Sequence, residues 1–222
     1  VKSIPIRPAD EGEAATRELL ARFDALSASR PGLRAALRPR LELLATLDRQ
    51  HGGSGRLPLE DADQVVASLL AELAAHVEEA GEIVIGVAVW AMRHELPILV
   101  PEPVVNALAN ASNAARTPQQ LGAAFALMQA FAANLTPRLA ADLERSDPAR
   151  PWRILHLNWA ITAIRSEDER LMDLAFDALD AALPGERAGF YAEALARALA
   201  PGIAPQVKER IERRHLKWTA SG

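Results

Sequence analysis

Apolar residues recur along this chain at helical rather than strand spacing. Leu19, Leu20, Phe23 and Leu26 follow the capping-box-like start Asp10-x-x-Glu13. Leu33, Leu37, Leu41 and Leu44 carry a second helix, in which Pro39 predicts a kink or a break. Val66, Leu69, Leu70, Leu73 and Val77 stripe a third, read from about Leu59 to Ala80 and closed by Gly81. Residues 83–95 are rich in β-branched side chains, which favours a strand. Both faces of that strand would be apolar, however, and no partner strand is found elsewhere. A helix over 83–96, buried on most sides, fits better. Thr117-Pro118-Gln119-Gln120 is the clearest helix start, and Pro137 predicts a kink or break later in the same helix. Ser166-Glu167-Asp168-Glu169 reads as another capping box.

Helix starts near 149, 167, 185 and 204 imply one helical hairpin per roughly 36 residues, close to the period of tetratricopeptide repeats. Within 156–184, Trp159, Phe176 and Pro184 fall near places where that family puts a large residue, an aromatic and a closing proline. The stretch resembles a tetratricopeptide repeat to that extent. The next unit, from about 187, does not repeat the pattern, so the resemblance implies hairpin stacking rather than membership of the family. The predicted fold is all-α: antiparallel helical hairpins stacked as an α-solenoid-like array or a compact multi-helix bundle. Residues 1–57 read as an N-terminal arm and hairpin, and 58–222 as the main array, continuous with it as one domain. His51-Gly52-Gly53-Ser54-Gly55-Arg56 reads as a flexible linker, because it lacks the Gly-Lys-Ser/Thr ending of a phosphate-binding loop. The helices near 83–96 and 152–165 are apolar nearly all round, as inner helices between neighbours should be.

Composition changes this picture little. The chain has 222 residues, 50% hydrophobic and 24% charged, the balance of an ordinary globular protein. A net charge of −4 is no electrostatic template for nucleic acid. The absence of cysteine excludes disulfides, thiolate metal sites and cysteine nucleophiles, and fits a reducing, cytoplasmic setting. No apolar run reaches the roughly 20 residues of a membrane span. The start VKSIPIRPADE has no apolar segment after Lys2 and does not read as a signal peptide.

No strong catalytic motif appears. Arg93, His94 and Glu95 are consecutive, so helical geometry should splay them, and the second histidine of a His-Glu-x-x-His zinc site is missing. Basic residues there also complement a helix C-terminus. The pattern Trp-x-x-x-His occurs twice, at Trp90/His94 and Trp152/His156, and residues four apart on a helix touch. Each pair is either core packing or, with Arg93 and Arg153, the wall of an aromatic-lined pocket. Glu72, His76 and Glu79 share one side of a helix, yet no second matching helix appears, and we expect no metal and no cofactor. Asn106, Asn110 and Asn113 share a helix face that could clamp a peptide backbone, as armadillo repeats resemble in principle, or simply face water. Near the C-terminus Lys208, Arg210, Arg213, Arg214 and Lys217 oppose a Val207/Ile211/His215/Trp218 stripe, which predicts docking on the preceding hairpin. The function expected is a non-catalytic interaction module for a protein or peptide partner, with self-association compatible. The alternative is a small-ligand or enzymatic pocket around the two Trp/His helices.

Overall fold

The computed structural model describes residues 9–57, 62–139, 150–200 and 202–219. All regular structure among them is helical. In chain order the helices are α1 (Ala9–Leu26), α2 (Pro31–His51), α3 (Ala62–Leu73), a 3-10 turn (Ala74–His76), α4 (Val77–Arg93) and α5 (Glu102–Ala114). They continue with α6 (Pro118–Leu139), α7 (Pro151–Ser166), α8 (Glu169–Ala182), α9 (Arg187–Ala198) and α10 (Pro205–Thr219). The chain divides into two compact units. The first is Val1–Asn113 with Ala133–Asp142; the second is Ala114–Ala132 with Leu143–Gly222.

In the first unit α1 packs on α2 and α4, and α3 packs on α4. Phe23, Leu37, Leu41, Leu44, Leu70 and Trp90 are buried where these helices meet. Pro39 lies inside α2 without ending it, because the helix runs on to His51. The third predicted helix differs more. It stops at Leu73, passes through the 3-10 turn, and restarts at Val77 after His76 leaves helical geometry (φ −125°, ψ 16°). Its predicted start at Leu59 lies outside the described residues, as does the Asp10 side chain. Gly81 does not close a helix; it sits within α4, where an added Cβ would lie 3.8 Å from Ala107 of α5. Gly86, further along α4, faces α1 so closely that a Cβ would fall 2.6 Å from Leu19 Cδ1. Gly86 therefore serves close helix approach, whereas a Cβ at Gly81 would make only ordinary contact.

In the second unit α7 packs on α8, α9 on α10, and α10 on α8. Phe125, Met128, Trp159, Phe176, Tyr191 and Ile211 are buried there. The capping box at Thr117 forms as its sequence predicts: Gln120 N–H donates to Thr117 Oγ1, and Thr117 N–H donates to Gln120 Oε1, each at 3.2 Å. The later box, at Ser166, does not form. Glu167 adopts φ 56° and ends α7, and Asp168 caps α8 by accepting from Arg170 N and Leu171 N. One expectation fails for α7. Its Leu155, Trp159, Ala160 and Ala163 face is buried, but Ile161 on the other side is 38% exposed. A helix patterned for burial all round is covered on one side only.

Candidate functional site

The charged end of α4 does not surface into water. His94 is fully buried and Arg93 is 6% exposed; only Glu95 is exposed, with φ 57°. Nor are Arg93 and His94 splayed apart. Helical geometry ends at His94 (φ −95°, ψ 16°), and both side chains reach Asp48 on α2. Asp48 is fully buried. Its Oδ1 accepts from Trp90 Nε1 at 2.9 Å and faces His94 Nε2 at 2.7 Å. Its Oδ2 accepts from Arg93 Nη2 at 3.2 Å and from the Thr16 hydroxyl of α1. Burial pushes the Asp48 carboxyl up, but the bonds from His94 and Thr16 and the charge of Arg93 outweigh it and hold the group below the usual carboxylate range.

The same two side chains pin the glycine stretch. Arg93 Nη1 donates to Gly53 O at 2.5 Å, His94 Nδ1 lies 2.9 Å from Gly55 O, and Gly55 N–H donates to Arg93 O at 2.9 Å. The expected flexible linker is a tied loop, with Gly52, Gly53 and Gly55 at positive φ. Gly12 of α1 leaves room for the guanidinium, since a Cβ there would fall 2.1 Å from Arg93 Nη1. Both ring nitrogens of His94 are engaged inside the cluster, Nε2 on Asp48 and Nδ1 on Gly55 O, and Thr16 bonds the carboxylate rather than the imidazole. The cluster ties α1, α2, α4 and the loop.

The second Trp/His pair lies in the other unit. Its rings are 4.0 Å apart, and those of Trp90 and His94 are 4.5 Å apart, so each histidine packs on its own tryptophan. His156 Nδ1 donates to Trp152 O at 2.9 Å. Burial holds its pKa below the ordinary histidine value despite that bond, with the nearby Arg150 charge adding to the effect. Arg153 pairs with Glu186, its Nη2 at 2.8 Å from Oε2. Asn106, Asn110 and Asn113 are all exposed on α5. Glu72 and Glu79 bond Arg40 and Arg30, and among the described residues no group of three acids or histidines could hold a metal ion.

The basic row of α10 is matched by an acidic row on α8. Arg210 bonds Glu169 and Asp173, and Arg214 bonds Asp177 at 2.7 Å and Asp180 at 2.9 Å. Asp180 also accepts from Tyr191 OH at 2.9 Å and Trp218 Nε1 at 3.1 Å. Burial, then the Asp180 charge, pushes the Tyr191 phenol up.

The uncovered side of α7 opens onto a groove of about 880 Å³ within the second unit. Leu157, Ile161 and Ile164 line one side, and Ile203, Val207 and Ile211 another. Phe190 and the small residues Gly189, Ala194 and Ala198 of α9 complete it. Arg153 is the one predicted site residue that this groove includes. No protein-family model, curated protein or solved structure matches this chain. Sequence reading missed both Asp48 and the groove. Asp48 carried a signal: it stands four residues after Leu44 and seven after Leu41, an acid in an apolar stripe. The groove carried none that α7 alone could show.

Proposed function

We propose that this chain is a non-catalytic interaction module that holds a segment of a protein partner in the groove of its second unit. One observation carries the reading. A helix patterned for complete burial leaves Ile161 exposed, with Leu157 and Ile164 half-buried beside it, in a groove whose far side adds exposed Ile203. Contiguous exposed apolar surface of this kind marks interaction sites, whereas single exposed apolar residues do not. The buried Asp48 cluster supports the same reading, because its polar groups bond one another and the glycine loop inside the fold.

The test compares the full chain with the double variant Ile161→Asp, Ile203→Asp. Both positions are exposed, at 38% and 40%, so the fold should tolerate the change. A protein recovered with the wild type and lost with the variant is then purified and titrated calorimetrically. The expected result is a loss of about tenfold or more in affinity. Equal binding to both chains, or no partner recovered by the wild type, would overturn the reading.

A further inference from the structure

We infer that the α9–α10 hairpin is a hinged flap on the second unit, latched at Asp180, which opens as one body about the Leu183–Glu186 turn. The flap does not depend on what the groove holds.

Burial divides the last four helices of this unit into two pairs. Six of the 16 residues of α7 and five of the 14 of α8 are buried. In α9 only Tyr191 and Ala198 are buried, of 12 residues, and in α10 only Val207 and Ile211, of 15. Segments with few buried apolar contacts open at lower free energy than the core beside them. The two outer helices nonetheless hold each other. They pack together, and the Arg187 guanidinium of α9 lies 4.1 Å from the centre of the Trp218 ring of α10. They should therefore move together.

The polar bonds that tie this hairpin to α8 converge on one carboxylate. Asp180 Oδ1 accepts from Tyr191 OH of α9, and its Oδ2 accepts from Arg214 Nη1 and Trp218 Nε1 of α10. A single group in the last turn of α8 thus closes both helices of the hairpin. Asp180 is buried, so its bonds are stronger than those of an exposed carboxylate. Glu169, Asp173 and Asp177 add ion pairs to Arg210 and Arg214, but water reaches those carboxylates and each pair holds less. The apolar part of the closure is Val207 and Ile211, with the Tyr191 ring edge-on to Phe176 of α8 at 5.3 Å.

The turn between α8 and α9 suits a pivot. Pro184 and Gly185 are exposed, and a Cβ built at Gly185 meets no atom within 4 Å. Rotation there carries Val207 and Ile211 away from Leu157, Ile161 and Ile164, with which they line the groove. The flap therefore sets how wide that groove stands.

Native-state hydrogen exchange of the full chain, read by mass spectrometry at rising urea, tests the flap. The amides of α9 and α10 should share one opening constant, at least about tenfold larger than that of α7 and α8. Trp218→Phe removes one donor to Asp180 from α10. It should raise the opening constant of α9 by the same factor as that of α10, about threefold to tenfold. Phe125→Leu loosens a ring that packs on Trp159 of α7 at 5.5 Å, a contact that the flap does not break. It should speed exchange in α7 and α8 about fivefold or more and leave α9 and α10 within about twofold.

A rise confined to α10 in Trp218→Phe overturns the latch in favour of a fraying terminal helix. One constant shared by all four helices, or a Phe125→Leu effect equal in all four, overturns the flap in favour of a single cooperative unit. If Trp218→Phe loses the native circular dichroism, Tyr191→Phe takes its place. The rise is then read in α10, and a rise confined to α9 overturns the latch.

Discussion

Each unit buries a carboxylate on the apolar stripe of a helix, and the two are built differently. Asp48 is sealed: it is fully buried, and its partners Thr16, Trp90, Arg93 and His94 are themselves buried. Asp180 stands at the edge of an ion-pair ladder. It is 8% exposed, and its partner Arg214 also bonds Asp177, whose side chain is 71% exposed. Both gather an indole N–H and a guanidinium from a neighbouring helix. The contrast shows that the same hydrogen-bonding groups give different consequences according to access to water. At Asp48 no water can replace a lost partner. At Asp180 solvent and a second carboxylate can.

The largest expected effect breaks the sealed cluster. Asp48→Ala leaves Arg93 and His94 buried without their carboxylate and should cost about 3–5 kcal/mol. Asp180→Ala should cost about 1–3 kcal/mol, because Arg214 keeps Asp177. Urea denaturation of the two variants decides the matter, and equal losses would remove the distinction.

Two glycines sharpen the same contrast with opposite signs. Gly12→Ala drives a Cβ against Arg93 Nη1 and to 2.8 Å from Gly53 O, and should destabilise by about 1–3 kcal/mol. Gly189→Ala meets nothing and should stabilise by up to about 1 kcal/mol. Midpoints of thermal unfolding for both variants would test the pair.

Acid should act on the units in different windows. His156 is held below its ordinary value of 6.5, so the unfolded chain binds more protons than the folded one in mild acid. Its burial therefore lowers stability as pH falls below about 6.5, and His156→Gln should flatten that limb. The Asp48 carboxyl is held below the usual range, so its contribution is complete above the unfolded value of 3.8 and is lost as pH falls through the lower folded value. Asp48→Asn should flatten only this stronger-acid limb. Stability measured against pH for the two variants separates the windows; a mild-acid loss that survives His156→Gln would contradict the assignment.

The smallest effect belongs to the exposed pair Arg197–Glu193, whose side chains are 75% and 68% exposed. Arg197→Ala should change stability by less than about 0.5 kcal/mol.

What was legible in the sequence was local. Helical periodicity, the Thr117 capping box and the two Trp-x-x-x-His ring pairs each depend on residues within about one turn of one another, and the chain encodes such relations directly. Helix boundaries were less legible at His76, where neither proline nor glycine marks the interruption. Gly81 misled as well, because it lies inside α4 rather than at the end of a helix.

The amino-acid sequence by itself determined that this protein is helical and which faces of most helices are apolar, since both follow from the spacing of side chains along one backbone. Only the tertiary structure decided what those faces meet. It brought Asp48 to Arg93 and His94 across more than forty residues, which local geometry could not foresee. It also left one side of α7 uncovered. Burial is a property of neighbours, and a helix as apolar as α7 carries no mark of which side its own chain will fill.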